Sequence, residues 1–347
     1  MSTNLVVFRA DGGPTIGGGH IARCLALADE LKKRGWTCAF AVSPETKATM
    51  QNLAASGYET LALPTTGPGM ESAAIAAQWT NAAMVVVDHY KRDSMFETPA
   101  RRWAEKVVVI DDLADRRHDC DLLTDPTLGR KPERYGGGAV PEGCLFLLGP
   151  NYAVLKPGFA VARAGSLERR ADPKLRRLLI SFGSTDPIDA TGACLYALER
   201  SSLDLEIDVV LGSAAPNLEQ VRTRAAGLKR VKLHIETDAM PQLMADADCA
   251  LGGAGSTSWE RCCMGLPALA AILADNQIGI AAGLAAKGAA QIAGPWKPNL
   301  ALMIIRRLEG LDSRQLAQMS KAAAAICDGL GTMRVADAVE KLRPRRT

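Results

Sequence analysis

Short apolar runs alternate with helical periodicity along the chain, in a regular order. Residues 5–8, β-branched at Val6 and Val7, run into Asp11-Gly12-Gly13-Pro14, the pattern of a strand entering a loop. Beyond it Ile21, Leu25, Ala28 and Leu31 recur at three and four residues, which predicts a helix stopped by Gly35 and followed by a strand over 37–42. The run 83–87 ends in Asp88 and the run 107–110 ends in Asp111-Asp112, each after a helical stretch. Strands without polar alternation, separated by helices, predict a parallel sheet covered on both faces.

Hydrophobic periodicity is lost over 157–173, which gains Gly, Arg and Pro, so a linker is expected there. The alternation then resumes. Residues 178–182 enter Gly183-Ser184-Thr185-Asp186-Pro187, 207–211 form another strand, and 249–251 enter Gly252-Gly253-Ala254-Gly255-Ser256-Thr257. The expected fold class is α/β, with two Rossmann-like domains over 1–156 and 174–330 whose strand C-terminal ends face each other across a cleft. The segment 313–342 is helical by pattern, and 331–347 is expected to close the chain as a helix end and a frayed basic tail.

Length agrees with this division, since 347 residues suit two domains of roughly 100–200 residues each. With 48% apolar and 23% charged residues the composition is that of a folded globular chain. The net charge is +3, but Lys341, Arg343, Arg345 and Arg346 lie at the very end, and without those four charges the balance is −1. No broad positive field remains to neutralise phosphates, so a nucleic-acid partner is disfavoured. Nine cysteines, with no CxxC and with Cys262 beside Cys263, describe neither a disulfide framework nor a zinc site. Reduced thiols and a cytoplasmic location are expected. The N-terminus lacks a signal-peptide pattern and no uncharged apolar stretch approaches membrane-span length, so neither secretion nor a membrane span is expected.

Two loops can carry chemistry. The first, Gly12 to His20, has five glycines in nine residues and opens onto a helix, where backbone N–H groups and the positive helix end favour an anion. With Asp11 at the strand end, Gly17, Gly18 and Gly19 are candidate substrate contacts. As a P-loop the segment fails, because Gly19 and His20 stand where Lys and Ser/Thr belong. Gly17, Gly19 and Ala22, with Glu45 as the acid, fit a dinucleotide fingerprint only loosely, and no cofactor is expected. His20 reads as the one titrating group at a backbone-lined cavity, held neutral by the helix end and so suited to act as a general base. The alternative is a helix-start histidine filling a polar gap.

The second loop is GGAGSTSWE. Gly253, Gly255 and the hydroxyls of Ser256 and Thr257 suit phosphate oxygens, and Glu260 can accept both hydroxyls of a ribose. A Thr257–Glu260 capping box is the competing explanation. Gly265-Leu266-Pro267 then leads through an apolar run to Asp275-Asn276-Gln277, a polar loop on the same rim. Asp111 and Asp112 read as hydrogen-bonding strand-end residues rather than a metal pair, and no metal is expected. His89 and His118 have no setting like that of His20, and 118–121 reads as a structural turn.

Taken in order, RADGGPTIGGGHIARCLALA, VVVDHY, IDDLADRRHDCDLL, LLGPNYAVLKPGF, SFGSTDP, GGAGSTSWE with GLP, and ADNQ resemble segments of the GT-B nucleotide-sugar enzymes. They are similar to the peptidoglycan N-acetylglucosaminyltransferase group and, more fully, to the UDP-2,4-diacetamido-2,4,6-trideoxy-β-L-altropyranose hydrolases of pseudaminic acid biosynthesis. The resemblance covers residues 5–280. It implies that His20 is the catalytic histidine, Tyr90 and Asn276 active-site residues and Glu260 the ribose acid. It also implies a UDP-sugar substrate, a role in surface or flagellin glycosylation, and a monomer. Thr124-Asp125-Pro126-Thr127 and Gly12-Gly13-Pro14 depart from the family's usual residues and bear on the choice of sugar.

The implied reaction suits these residues. Water attacking C1 needs a base on the face opposite the leaving group, which inverts the anomeric centre. UDP leaves as a stabilised anion, so a backbone cradle can replace a general acid and a metal. A glycosyltransferase would use the same groups with an acceptor hydroxyl in place of water. From other classes, an NAD-dependent oxidoreductase and a non-catalytic nucleotide-sugar binding protein remain as alternatives.

Overall fold

In a computed structural model, residues 4–64 and 67–342 are described. The chain divides into two compact units, one of residues up to 156 together with those from 330 onward, the other of residues 157–329.

The first unit is built on seven strands, β1 (Leu5–Ala10), β2 (Thr37–Val42), β3 (Glu59–Ala62), β4 (Ala82–Asp88), β5 (Ala104–Ile110), β6 (Leu122–Asp125) and β7 (Leu145–Leu148). Their order is β3-β2-β1-β4-β5-β6-β7, and every pairing is parallel. Successive residues of a strand point to opposite faces, and both faces are buried here. Val6, Phe8, Ala10, Met84 and Val86 join one core, and Val7, Val85 and Val87 join the other. Each Val, Met or Phe side chain here contributes roughly 1.5–3 kcal/mol on burial, which is why these runs carry no polar alternation.

The second unit repeats the plan with β8 (Arg177–Ser181), β9 (Glu206–Leu211), β10 (Val231–Ile235), β11 (Cys249–Gly253), β12 (Ala268–Ile272) and β13 (Gln291–Pro295), in the order β10-β9-β8-β11-β12-β13. In each sheet the first strand lies between the second and the fourth, so chain direction across the sheet reverses there. Ligands of open α/β sheets bind outside the strand C-termini at that reversal. In the first unit the position is flanked by the loops after β1 and β4, and in the second by those after β8 and β11.

Two expectations are corrected. The supposed linker begins with a helix, Pro157–Arg169, that belongs to the second unit. It buries only Phe159 and Ser166, and polar contacts hold it: Arg163 donates to the carbonyls of Cys263, Cys327 and Ala324, and Ser166 Oγ to that of Met264. Hydrophobic periodicity does not register such an anchorage. The helical pattern over 313–342 is broken into Ser313–Ala324 and Gly331–Lys341. The second of these returns to the first unit, where Val335, Ala336 and Val339 complete the core beside Ile21 and Leu25. Thr332 Oγ1 exchanges hydrogen bonds with Leu155 there. The expected frayed tail, 343–347, lies outside the described residues. No helix among the described residues is long and apolar enough to cross a membrane.

Candidate active site

In the first unit β1 delivers Asp11 to the glycine loop. Gly13 and Gly17 pair through N–H···O bonds of 3.2 and 2.8 Å, closing a small hairpin. Gly17 has φ +83°, a left-handed conformation that glycine takes without strain. Helix α1 (Gly19–Lys33) follows, with Gly18 as its N-cap and no side chain capping it.

His20, the second residue of α1, is 6% exposed. Its Nδ1 lies 2.5 Å from Oδ1 of Asp88, the last residue of β4. Arg23, one turn along α1, donates from Nε and Nη2 to the two Asp88 oxygens, each at 2.5 Å, and from Nη1 to Asp112 Oδ2 at 3.1 Å. Tyr90 Oη donates to the same Asp112 oxygen at 3.4 Å, and its ring meets the His20 imidazole edge-on with centroids 4.5 Å apart. Burial would push the Asp88 carboxyl up, but the Arg23 charge, the adjacent His20 and their hydrogen bonds outweigh it and hold Asp88 far below the usual carboxylate range.

This fixes the tautomer of His20. An ionised Asp88 has no proton to give, so Nδ1 is the N–H donor at 2.5 Å. Arg23 Nη2, 3.1 Å from the same nitrogen, is then a close charge and not a donor to it. In the neutral imidazole Nε2 then carries the lone pair. A carboxylate-oriented imidazole of this kind is the arrangement of a general base.

His20 is therefore not the lone titrating group that the glycine-rich surroundings suggest. Asp88, Arg23 and Asp112 were missed, and only the strand-end position of the two aspartates could have flagged them. Asp11, expected as a ligand contact, is 5% exposed and bonded within the protein. It accepts from Ser43 N at 2.6 Å, Thr46 Oγ1 at 3.2 Å and His89 Nε2 at 3.0 Å, and lies 2.9 Å from Arg9 Nη1. Those bonds tie together the loops after β1, β2 and β4. His89, discounted from sequence, is part of this brace: Nε2 donates to Asp11 and Nδ1 accepts from Lys91 N. Burial pulls its pKa down.

The turn read over 118–121 contains a buried ion cluster. His118 Nδ1 lies 2.8 Å from Glu97 Oε1, and its Nε2 lies 3.8 Å from Asp111 Oδ2, too far for a hydrogen bond but within ion-pair range. Burial opposes its charge, yet the two carboxylates prevail and raise the His118 pKa to about 9. Asp111 also accepts from Ala114 N and Tyr135 Oη, both at 2.9 Å, as expected of a strand-end hydrogen-bonding residue.

In the second unit β11 runs straight into the other glycine loop. A Cβ on Gly252 would lie 2.5 Å from both the Ser181 carbonyl oxygen and Arg261 Nη1, so β11 and β8 approach too closely for any side chain. Arg261 is buried, and its Nη2 donates to the Gly253 carbonyl at 2.6 Å and to Ser258 Oγ at 2.9 Å. Burial lowers its pKa. Thr257 is the first residue of helix Thr257–Cys263, and the N-cap, Ser256, makes no side-chain cap bond. The anticipated capping role for Thr257 is thus not taken up, and Glu260 is half-buried on the first turn.

The glycine loop and the ADNQ loop come together because β11 and β12 are neighbours. Asn276 lies half-buried in a short 3-10 turn, Asp275–Gln277. Gln277 Oε1 accepts from Leu273 N at 3.0 Å, and its amide lies 3.4–3.5 Å from the points a Cβ would occupy on Gly253 and Gly255. Across the switch point, in the loop after β8, Asp186 and Asp189 have φ of +37° and +53°. Asp186 offsets its strain by accepting from Ala190 N at 3.0 Å and Thr191 N at 2.8 Å.

Comparison with solved structures places this architecture. MurG of Acinetobacter baumannii superposes with a TM-score of 0.65 at 16% identity, over 97% of this chain and 99% of that one. The fold is GT-B. A Staphylococcus aureus MnaA structure with UDP gives 0.65 at 13% identity, over 98% and 96% of the two chains. The calicheamicin glycosyltransferase CalG4 gives 0.59 at 16%, over 99% of both. No protein-family model matches the chain. Among curated proteins, the UDP-2,4-diacetamido-2,4,6-trideoxy-β-L-altropyranose hydrolase of Campylobacter jejuni is 24% identical over 284 residues, 82% of this chain and 97% of that protein. The GT-B chain thus resembles the hydrolase that its motifs point to. The spore coat polysaccharide biosynthesis protein SpsG of Bacillus subtilis is 28% identical over 198 residues, 56% of this chain and 58% of that protein. An uncharacterized protein of Methanocaldococcus jannaschii is 22% identical over 77% of this chain and 55% of its own length. The chain therefore spans little more than half the length of these last two relatives.

Proposed function

We propose that the protein hydrolyses a UDP-linked 2,4-diacetamido-2,4,6-trideoxy sugar to UDP and the free sugar, with inversion at C1, as a step of pseudaminic acid biosynthesis for surface or flagellin glycosylation. The observation that carries the reading is the 2.5 Å contact of His20 Nδ1 with Asp88, which in the neutral imidazole directs the lone pair to Nε2. In this reading Nε2 takes a proton from water as the water oxygen bonds to C1. The C1–O bond to phosphate breaks, and its electron pair leaves with UDP. The imidazolium that forms is balanced by Asp88 and, through Arg23, by Asp112. In this reading the first unit supplies the base with Tyr90 beside it, and in the second unit Gly253, Gly255, Ser256, Thr257 and Glu260 are the UDP contacts and Asn276 a sugar contact. UDP leaves as an anion, so the chemistry needs no metal. The enzyme acts as a monomer in the cytoplasm.

Glycosyl transfer is the second reading, favoured by a fold that MurG and CalG4 share, because the same base serves an acceptor hydroxyl. Incubation of the protein with UDP-sugars and no acceptor, followed by NMR of the anomeric proton, separates the two. Release of UDP with an inverted free sugar is the expected result. UDP release only when an acceptor is added would establish transfer instead. Tight NAD binding would revive the oxidoreductase reading, and UDP binding without turnover would leave a sensor.

A further inference from the structure

We propose that Cys120 and Cys144 form a dithiol site that closes to a disulfide when the protein meets a small disulfide oxidant such as oxidised glutathione. Neither thiol takes part in the chemistry assigned to His20. Cys144 immediately precedes β7, and Cys120 lies two residues before β6. The parallel register pairs Leu122 with Leu145, and Leu145 N donates to the Asp121 carbonyl at 2.9 Å. The two cysteines are therefore one residue out of register on adjacent segments. A strand spacing of about 4.8 Å combined with a one-residue offset of about 3.3 Å gives a Cα separation of roughly 6 Å, within the roughly 4.4–6.8 Å that a disulfide spans.

The sulfurs lie 3.6 Å apart, in van der Waals contact. Closing to a bond of about 2.05 Å brings the sulfurs roughly 1.5 Å nearer. The two thiols are also unequal. Among the described residues, eight of the nine free cysteines are buried, and Cys144 is the half-exposed one. The contact with the Cys120 sulfur holds the Cys144 pKa below that of an ordinary cysteine, and nearby His118 adds to the effect. The other eight are pushed up, in most by burial and in Cys120 first by that same thiol contact. Cys144 is thus the thiolate an oxidant reaches first, with Cys120 behind it to resolve the adduct.

The exchange balances in two steps. Cys144 thiolate attacks one sulfur of oxidised glutathione, forming a mixed disulfide and expelling glutathione thiolate, which takes up the proton Cys144 lost. Cys120, giving up its own proton, then attacks Cys144 Sγ and expels the second glutathione. Two protein thiols and one oxidised glutathione become one protein disulfide and two reduced glutathiones. The closed loop contains Arg130, which donates to the Asp112 carbonyl at 2.9 Å, and Tyr135, which bridges Asp111 and Asp125. The cross-link therefore ties down the segment whose Arg130 bonds to the Asp112 carbonyl.

The test is incubation of the folded full-length protein with oxidised glutathione, alkylation of the remaining thiols, and peptide mass mapping without reduction. The expected result is a Cys120–Cys144 linked peptide as the dominant product, reversed by dithiothreitol. Cys120→Ser should instead trap glutathione on Cys144, and Cys144→Ser should give no linked peptide. The wild-type measurement stands alone if either variant fails to fold. A glutathione adduct persisting on Cys144 of the wild-type protein, or a Cys144 that alkylates readily yet never links to Cys120, overturns the proposal.

Discussion

Asp88 Oδ1 and His20 Nδ1 lie 2.5 Å apart although 68 residues separate them in sequence. Strand order makes the pair. β1 and β4 are neighbours, with Ala10 opposite Asp88, so the chain that leaves β1 and turns into α1 brings its second helical residue over the end of β4. The carboxylate receives two Arg23 bonds as well, and the imidazole, guanidinium and two aspartates form one cluster that reaches charge balance when the imidazole takes up a proton.

Asp88→Asn should separate orientation from folding. An amide in that position can donate to Nδ1 as readily as accept from it, which moves the imidazole proton to Nε2 and removes the base. The expected outcome is a fall in kcat of about 10²–10⁴-fold with KM changed little. Asp88→Ala should also destabilise the protein by about 3–5 kcal/mol, because a buried Arg23 loses its main partner. UDP release kinetics and urea unfolding measure the two effects. Wild-type kcat in Asp88→Asn would remove Asp88 from the base assignment.

Stability should fall on the alkaline side through His118. Its folded-state pKa of about 9 stands above the ordinary 6.5 because Glu97 and Asp111 outweigh burial. A group raised on folding stabilises fully below its unfolded pKa, and that contribution is lost as pH rises through the folded value. The window is therefore pH 6.5 to 9, and the loss is on the order of 3 kcal/mol for this fully buried imidazole. Asp11, Asp88 and Asp111 act in the opposite direction. Their pKa values are depressed, so their contribution is present above the usual carboxylate range, about pH 4, and is lost as pH falls below it. Thermal melts from pH 5 to 10 check the alkaline limb, and His118→Gln should flatten it.

What the sequence could and could not reveal follows from the range of each interaction. The buried parallel strands were legible because β1 and β4 are apolar on both faces, and His20 stands out as a candidate because three glycines precede it. Asp88 was visible as a strand-end residue, but its partner depends on which strands are adjacent, and local pattern carries no such information. The helix Pro157–Arg169 escaped because arginine-to-carbonyl bonds, not an apolar stripe, secure it. The final helix could be read as a helix but not assigned to the first unit, since Val335 and Val339 would suit either core. The internal bonds of Asp11 were hidden for a related reason: Ser43, Thr46 and His89 come from loops distant in sequence and use its oxygens.

Gly252→Ala tests the close approach of β11 to β8. The added methyl would meet backbone oxygen of Ser181 at 2.5 Å, which cannot move aside as a flexible side chain can. The expected cost is about 1–3 kcal/mol, as for other overpacked sites, with weaker UDP binding because the loop that follows is displaced. Gly255→Ala is the control. Its methyl would meet only the Gln277 amide, at 3.4 Å, so folding stability should stay within about 0.5 kcal/mol of wild type. Equal loss of stability in both variants would show that the β8–β11 contact is not the limiting one.

Glu260 provides the sharpest check on nucleotide binding, because its proposed role concerns ribose hydroxyls rather than phosphate. Glu260→Gln keeps shape and one acceptor oxygen but removes the charge. A hydrogen bond to a charged group contributes about 1.5–3 kcal/mol, so UDP should bind roughly 10–100-fold more weakly in calorimetric titration. Comparison with 2′-deoxy-UDP then isolates the hydroxyl. The wild-type protein should prefer UDP to the deoxy form, and the variant should lose most of that preference while losing little further affinity for the deoxy nucleotide. An unchanged preference in Glu260→Gln, with the fold intact by melting, would reassign Glu260 to a purely structural place in helix Thr257–Cys263.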